Sequence, residues 1–101
     1  MKERYGVLIC YSLSKAKPTP AEWTKFRKKF LGYLDHSNKG KYKYHRKGLM
    51  SEIPHIKLLR AVFIVRERDM QKVMDFLKGY KAEIHVRKVV LTHEDVEKLQ
   101  K

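Results

Sequence analysis

The chain has 101 residues, which is room for a single domain with one two-layer core and excludes a multidomain enzyme. It carries 24 Lys+Arg against 11 Asp+Glu, a formal net charge of +13, while 43% of its residues are hydrophobic, too many for a disordered basic tail. The apolar runs at 7–11 and 61–65 are five residues long, short of the roughly 20 of a membrane span and the roughly 7–15 of a signal-peptide core. The single cysteine, Cys10, excludes an internal disulfide, and the composition as a whole points to a cytoplasmic protein. Asn and Gln total three among many Lys and Glu, a balance common in heat-adapted proteins.

Residues 4–13 are rich in β-formers and apolar on both parities, which predicts a central strand. A loop with Pro18 follows. Thr19-Pro20-Ala21-Glu22 then combines an N-cap threonine, proline at the first helical position and glutamate at the third, so a helix is expected from here. Its apolar stripe is Trp23, Phe26, Phe30 and Leu34, with Lys25, Lys28 and Lys29 turned away from it. Residues 35–40 read as a polar turn and residues 41–46 as a strand, alternating Lys41, Lys43 and His45 with Tyr42, Tyr44 and Arg46. Residues 48–57 read as a loop or irregular hairpin end.

Residues 58–66 predict a second central strand, with Leu59, Ala61, Phe63 and Val65 on one parity and Arg60, Val62, Ile64 and Arg66 on the other. Helical spacing resumes through Met70, Val73, Met74 and Leu77, with Gly79 as the expected stop. Residues 82–91 form a further strand. Thr92-His93-Glu94-Asp95 opens a short terminal helix with Val96 and Leu99 as its apolar contacts. The order β-α-β-β-α-β predicts an α+β fold, a ferredoxin-like two-layer sandwich in which a four-stranded antiparallel sheet has helices on one face and residues 4–13 and 58–66 at its centre. The other face is then open around Val62 and Ile64, joined by Glu83, His85, Arg87 and Val89. Residues 4–13 leave two choices for that face, Tyr5-Val7-Ile9-Tyr11 or Gly6-Leu8-Cys10-Ser12.

This order resembles that of the RNA-recognition-motif family, whose third strand carries a basic residue and stacking aromatics. Residues 60–65 keep the arginine and the core parity, with Val62 and Ile64 where the aromatics would stand. The resemblance is one of fold alone. The small CRISPR adaptation nuclease subunits share the fold and end their first strand in an aspartate, where this chain has Tyr11-Ser12-Leu13-Ser14. Residues 31–38 resemble the LAGLIDADG homing-endonuclease motif, with Ser37 at the position of the metal-binding acid and Asn38 at the closing glycine. No single family is identified on these residues.

Nine basic residues stand against one acid, Asp35, between Trp23 and Ser51. Such a concentration opposes compaction and points to an anionic partner, and tyrosines interleaved with cations are the ingredients of nucleic-acid recognition. The expected contacts are Lys39, Lys41, Tyr42, Lys43, Tyr44, His45, Arg46 and Lys47, extended by Lys25, Lys28 and Lys29 and by Arg60, Arg66 and Arg87 on the sheet. The five histidines are scattered singly, and nucleophile elbows, Cys/His clusters and phosphate-cradling glycine loops are missing from the sequence. The expectation is therefore a non-enzymatic nucleic-acid-binding protein with no cofactor and no metal. Two alternatives stay open: a scaffold that forms a homodimer through the open sheet face, and a ferredoxin-like nuclease or nucleic-acid-processing enzyme.

Overall fold

The β-rich residues near the start of the chain form β1, Tyr5–Ser12, in the computed structural model, which describes residues 4–37 and 42–100. The chain divides into two compact units, one of residues 1–17 and 54–101 and one of residues 18–53.

The first unit is built on a four-stranded antiparallel sheet in the order β4-β5-β1-β6, with β4 at His55–Leu59, β5 at Val62–Val65 and β6 at Glu83–Val90. β1 lies between β5 and β6, both antiparallel to it, so those two run parallel with a strand between them. β1 and β4 flank β5 in the same way. This α+β fold with a four-stranded antiparallel sheet is consistent with a ferredoxin-like topology in general terms.

Register resolves the choice left open for β1. Val7 pairs with Val65 and Ile9 with Phe63 and Val86, so Tyr5, Val7, Ile9 and Tyr11 share the face that helix α3, Met70–Gly79, covers through Val73 and Leu77. Ile9, Val65, Val73 and Leu77 have no exposed surface at all. Burial of four such side chains contributes about 1.5–3 kcal/mol each before chain entropy is counted. The tyrosines of β1 therefore lie on the helix side, where Tyr11 meets Phe63 edge-on at 6.1 Å.

The opposite face was expected to be open around Ile64, and it is not. Helix α4, His93–Lys98, opens with the foreseen box, in which Thr92 and Asp95 exchange hydrogen bonds of 3.1 Å. It delivers Leu99 onto Ile56 and Ile64, with Leu8, Val89 and Leu91 packed alongside. Gly6 makes this possible, because a Cβ there would stand 2.8 Å from Leu91 Cδ2 and 3.0 Å from Ile64 Cγ2.

Two further expectations fail at chain reversals. Residues 58–66 are not one strand: the chain turns at Arg60-Ala61 between β4 and β5, with Ala61 at φ 67°. Alanine is an unusual occupant of the left-handed region, which is why no turn signal stood in the sequence. Gly79 is the last residue of α3 rather than its left-handed stop, a role that falls to Lys81 at φ 57°.

The second unit holds helix α1, Pro20–Leu31, a two-stranded hairpin of β2, Tyr33–Ser37, and β3, Tyr42–Arg46, and the single turn α2, Leu49–Glu52. Residues 42–46 thus leave the four-stranded sheet, and β4, whose residues 55–57 were expected as loop, takes the edge position. The reason is local. Helix α1 stops at Leu31 because Gly32 turns at φ 83°, which frees residues 33–37 to pair back on 42–46 and takes Leu34 out of the helical stripe. Trp23, Phe26 and Phe30 keep that stripe, stacked at 5.9 and 5.4 Å, and Phe26 and Phe30 are buried with Met50 and Ile53.

Gly48 closes this unit against Gly32. A Cβ on Gly48 would collide with the backbone nitrogen of Gly32 and stand 2.7 Å from the carbonyl carbons of Phe30 and Leu31. Ser51 ties the same junction, accepting from the Gly48 N–H at 3.1 Å and donating to the Leu31 carbonyl at 3.4 Å. Gly48→Ala is therefore expected to lower stability by about 2–3 kcal/mol, whereas Gly79→Ala, with nothing within 4 Å of its new Cβ, should gain about 0.5–1 kcal/mol. Denaturant midpoints of the two variants against the wild type check both signs.

Candidate nucleic-acid interface

Of the residues expected to bind nucleic acid, the second unit gathers Lys25, Lys28 and Lys29 on α1 and Lys43, Tyr44, His45, Arg46 and Lys47 on and after β3, all of them exposed. The strand β3 also carries Tyr42. Lys39 and Lys41 lie outside the described residues.

The helix presents its lysines because the capping box fixes where it begins. The Thr19 hydroxyl accepts from the Glu22 N–H at 3.2 Å, and the Glu22 carboxylate accepts from the Thr19 N–H at 3.1 Å. The stripe from Trp23 to Phe30 then turns inward and the lysines outward.

In the hairpin, Tyr33 pairs with Arg46 and Asp35 with Tyr44, so Tyr33, Arg46 and Tyr44 share one face, while Leu34, His45 and Lys43 share the other. The Lys28 ammonium sits over the Tyr33 ring at 4.7 Å and the Arg46 guanidinium over the Tyr44 ring at 5.8 Å. Lys28, Tyr33, Arg46 and Tyr44 thus form a continuous run of alternating cation and ring. Each such contact is worth about 0.5–1 kcal/mol at an exposed site. Tyr33 stays 38% and Tyr44 49% exposed, so the rings remain open to a ligand.

Tyr33 was missed in the sequence because the helical stripe was carried on to Leu34. Gly32 was the signal that could have found it: a glycine just past a helix starts a new element, and residues 33–37 then become the partner of the tyrosine strand.

Charge pairing divides along the same line as the units. In the first unit Lys15 meets Glu83 at 3.3 Å, Lys88 meets Glu67 at 3.5 Å and Arg66 meets Asp69 at 2.7 Å. Hydrogen bonding to Lys15, then its charge, holds the Glu83 carboxyl below its ordinary value, with His85 helping. Among the described residues, no carboxylate lies within ion-pairing distance of Lys25, Lys28, Lys29, Lys43 or Lys47.

The three arginines expected on the sheet belong to the first unit and differ in availability. Arg60 is exposed in the turn between β4 and β5, and Arg87 is exposed on β6 with one N–H given to the Val86 carbonyl at 2.8 Å. Arg66 is committed to structure, because Asp69 is only 7% exposed and Arg66 Nε donates to its carboxylate.

Arg66→Ala should therefore cost about 1–3 kcal/mol of stability, the penalty for leaving a buried acceptor unpaired, as read from its denaturation midpoint. At α1, the backbone N–H of Thr19 and then its hydroxyl hold the Glu22 carboxyl below its ordinary value of 4.5. A depressed carboxylate adds stability that is present above its unfolded value and lost as pH falls through the folded one. NMR titration should show Glu22 protonating below pH 4.5 in the wild type and closer to it in Thr19→Ala.

Among the described residues, no three His, Cys, Asp or Glu side chains converge as metal ligands, and no helix is long and apolar enough to cross a membrane. Compared with known proteins, the chain matches no family model, no curated protein and no solved structure.

Proposed function

We propose that this protein binds nucleic acid without catalysing a reaction, through α1 and the β2–β3 hairpin, and that it does so in the cytoplasm. In this reading β1, α1, β4, β5, α3 and β6 follow a ferredoxin-like βαββαβ order, and β2, β3 and α2 are an insertion between α1 and β4. The observation that carries the reading is that, among the described residues, Lys25, Lys28, Lys29, Lys43 and Lys47 meet no carboxylate and stand beside exposed, cation-capped tyrosines.

Lysines kept for solubility alone can stand anywhere, and in the first unit cations are interspersed with acids that meet them. Nine Lys/Arg against three acids in residues 18–53 create a local positive field, which attracts a polyanion and is relieved by it. A polyphosphate backbone meets this requirement because binding releases its condensed counterions.

The test is fluorescence anisotropy of labelled duplex DNA, single-stranded DNA and RNA titrated between about 50 and 300 mM salt. Replacing Lys25, Lys29, Lys43 and Lys47 together by alanine should weaken binding to every sequence and flatten the salt slope by up to about 0.9 per lost duplex contact, or about 0.7 on a single strand. An unchanged slope would remove these lysines from the interface. Absence of binding beyond that of a lysine-rich control protein of equal charge would overturn the function.

A further inference from the structure

We infer that the β2–β3 hairpin is a stacking platform for two bases of a single strand, built by Tyr33 and Tyr44; this rests on the nucleic-acid reading above and names the form of nucleic acid that the same surface takes.

The inference starts from register. Tyr33 is opposite Arg46, and Tyr44 stands two residues from Arg46 on the same strand and face. The two tyrosines are therefore diagonal neighbours, about 7 Å apart. Both stay exposed, at 38% and 49%, beside cations rather than in an apolar cluster.

A duplex cannot use these rings. Its bases are stacked on one another and present only their edges, so exposed aromatic faces add nothing to duplex phosphate contacts. A single strand offers base faces, and any base stacks on an aromatic ring. Neighbouring bases that remain stacked are about 3.4 Å apart, closer than the spacing of diagonal neighbours on a strand pair. An unstacked strand is what places one base on each tyrosine.

The capping cations complete the arrangement. Lys28 and Arg46 each sit over a ring, so a base stacked there lies in a positive field.

The experiment compares three probes on the wild-type protein at about 200 mM salt: a labelled 12-nucleotide oligothymidine, an abasic oligonucleotide with the same number of phosphates, and a 12-base-pair duplex. Oligothymidine is expected to bind at least tenfold more tightly than the abasic probe, since each lost stack costs about 5- to 150-fold. Tyr33→Leu combined with Tyr44→Leu should bring oligothymidine down to the level of the abasic probe measured on the same variant. Equal wild-type affinity for oligothymidine and the abasic probe, or tighter binding of the duplex, overturns the platform while leaving nucleic-acid binding intact. Failure of all three probes to bind overturns the nucleic-acid reading itself. The wild-type comparison decides the matter even if the double variant does not fold.

Discussion

β1 is covered on both faces, and this double burial is the constraint from which the first unit follows. Val7 and Ile9 face α3, while Gly6 and Leu8 face the segment that ends in α4. A strand so placed must be central, apolar on both parities and paired on both edges, and β5 and β6 supply those pairs. Gly6 is the narrowest point. Its missing side chain lets Leu91 and Ile64 approach the backbone closely enough for Leu99 to close over them. A 65-residue unit has little interior to spare, and using both faces of its sheet enlarges the area removed from water.

The second unit solves a different problem. It carries nine cations in 36 residues and so cannot rely on charge pairing for cohesion. Its internal order comes from short-range devices: the Thr19–Glu22 box, the stacked rings of Trp23, Phe26 and Phe30, the Gly32–Gly48 approach and the Ser51 hydrogen bonds. Apart from the Glu22 carboxylate of the box, these interactions join uncharged groups. The lysines are left to the outside, where their mutual repulsion is screened by salt.

What could be read in the residues was local in origin. The boxes at Thr19 and Thr92 announced α1 and α4 because every partner in a capping box lies within four residues. β1 and β6 were legible from apolar runs, and α3 from its three- and four-residue spacing. In the candidate interface, the lysines of α1 and the cation-tyrosine alternation of β3 were visible in the same way. Tyr33 was hidden by one misplaced helix end, and Arg66 was indistinguishable from a free cation because Asp69 lies three residues beyond it with nothing in the sequence to mark its burial.

The sequence by itself determined β1, α1, α3, β6 and α4 as elements, how α1 and α4 begin, and that positive charge gathers in residues 18–53. Only the tertiary structure decided that residues 42–46 pair with 33–37 rather than with the main sheet, that Leu99 covers Ile64, and that Tyr33 and Tyr44 share one face with Arg46. The physical reason is the range of the interactions. Caps, periodicity and charge density act between near neighbours, whereas strand partnership and face coverage depend on which distant apolar surfaces remain unburied once local structure has formed.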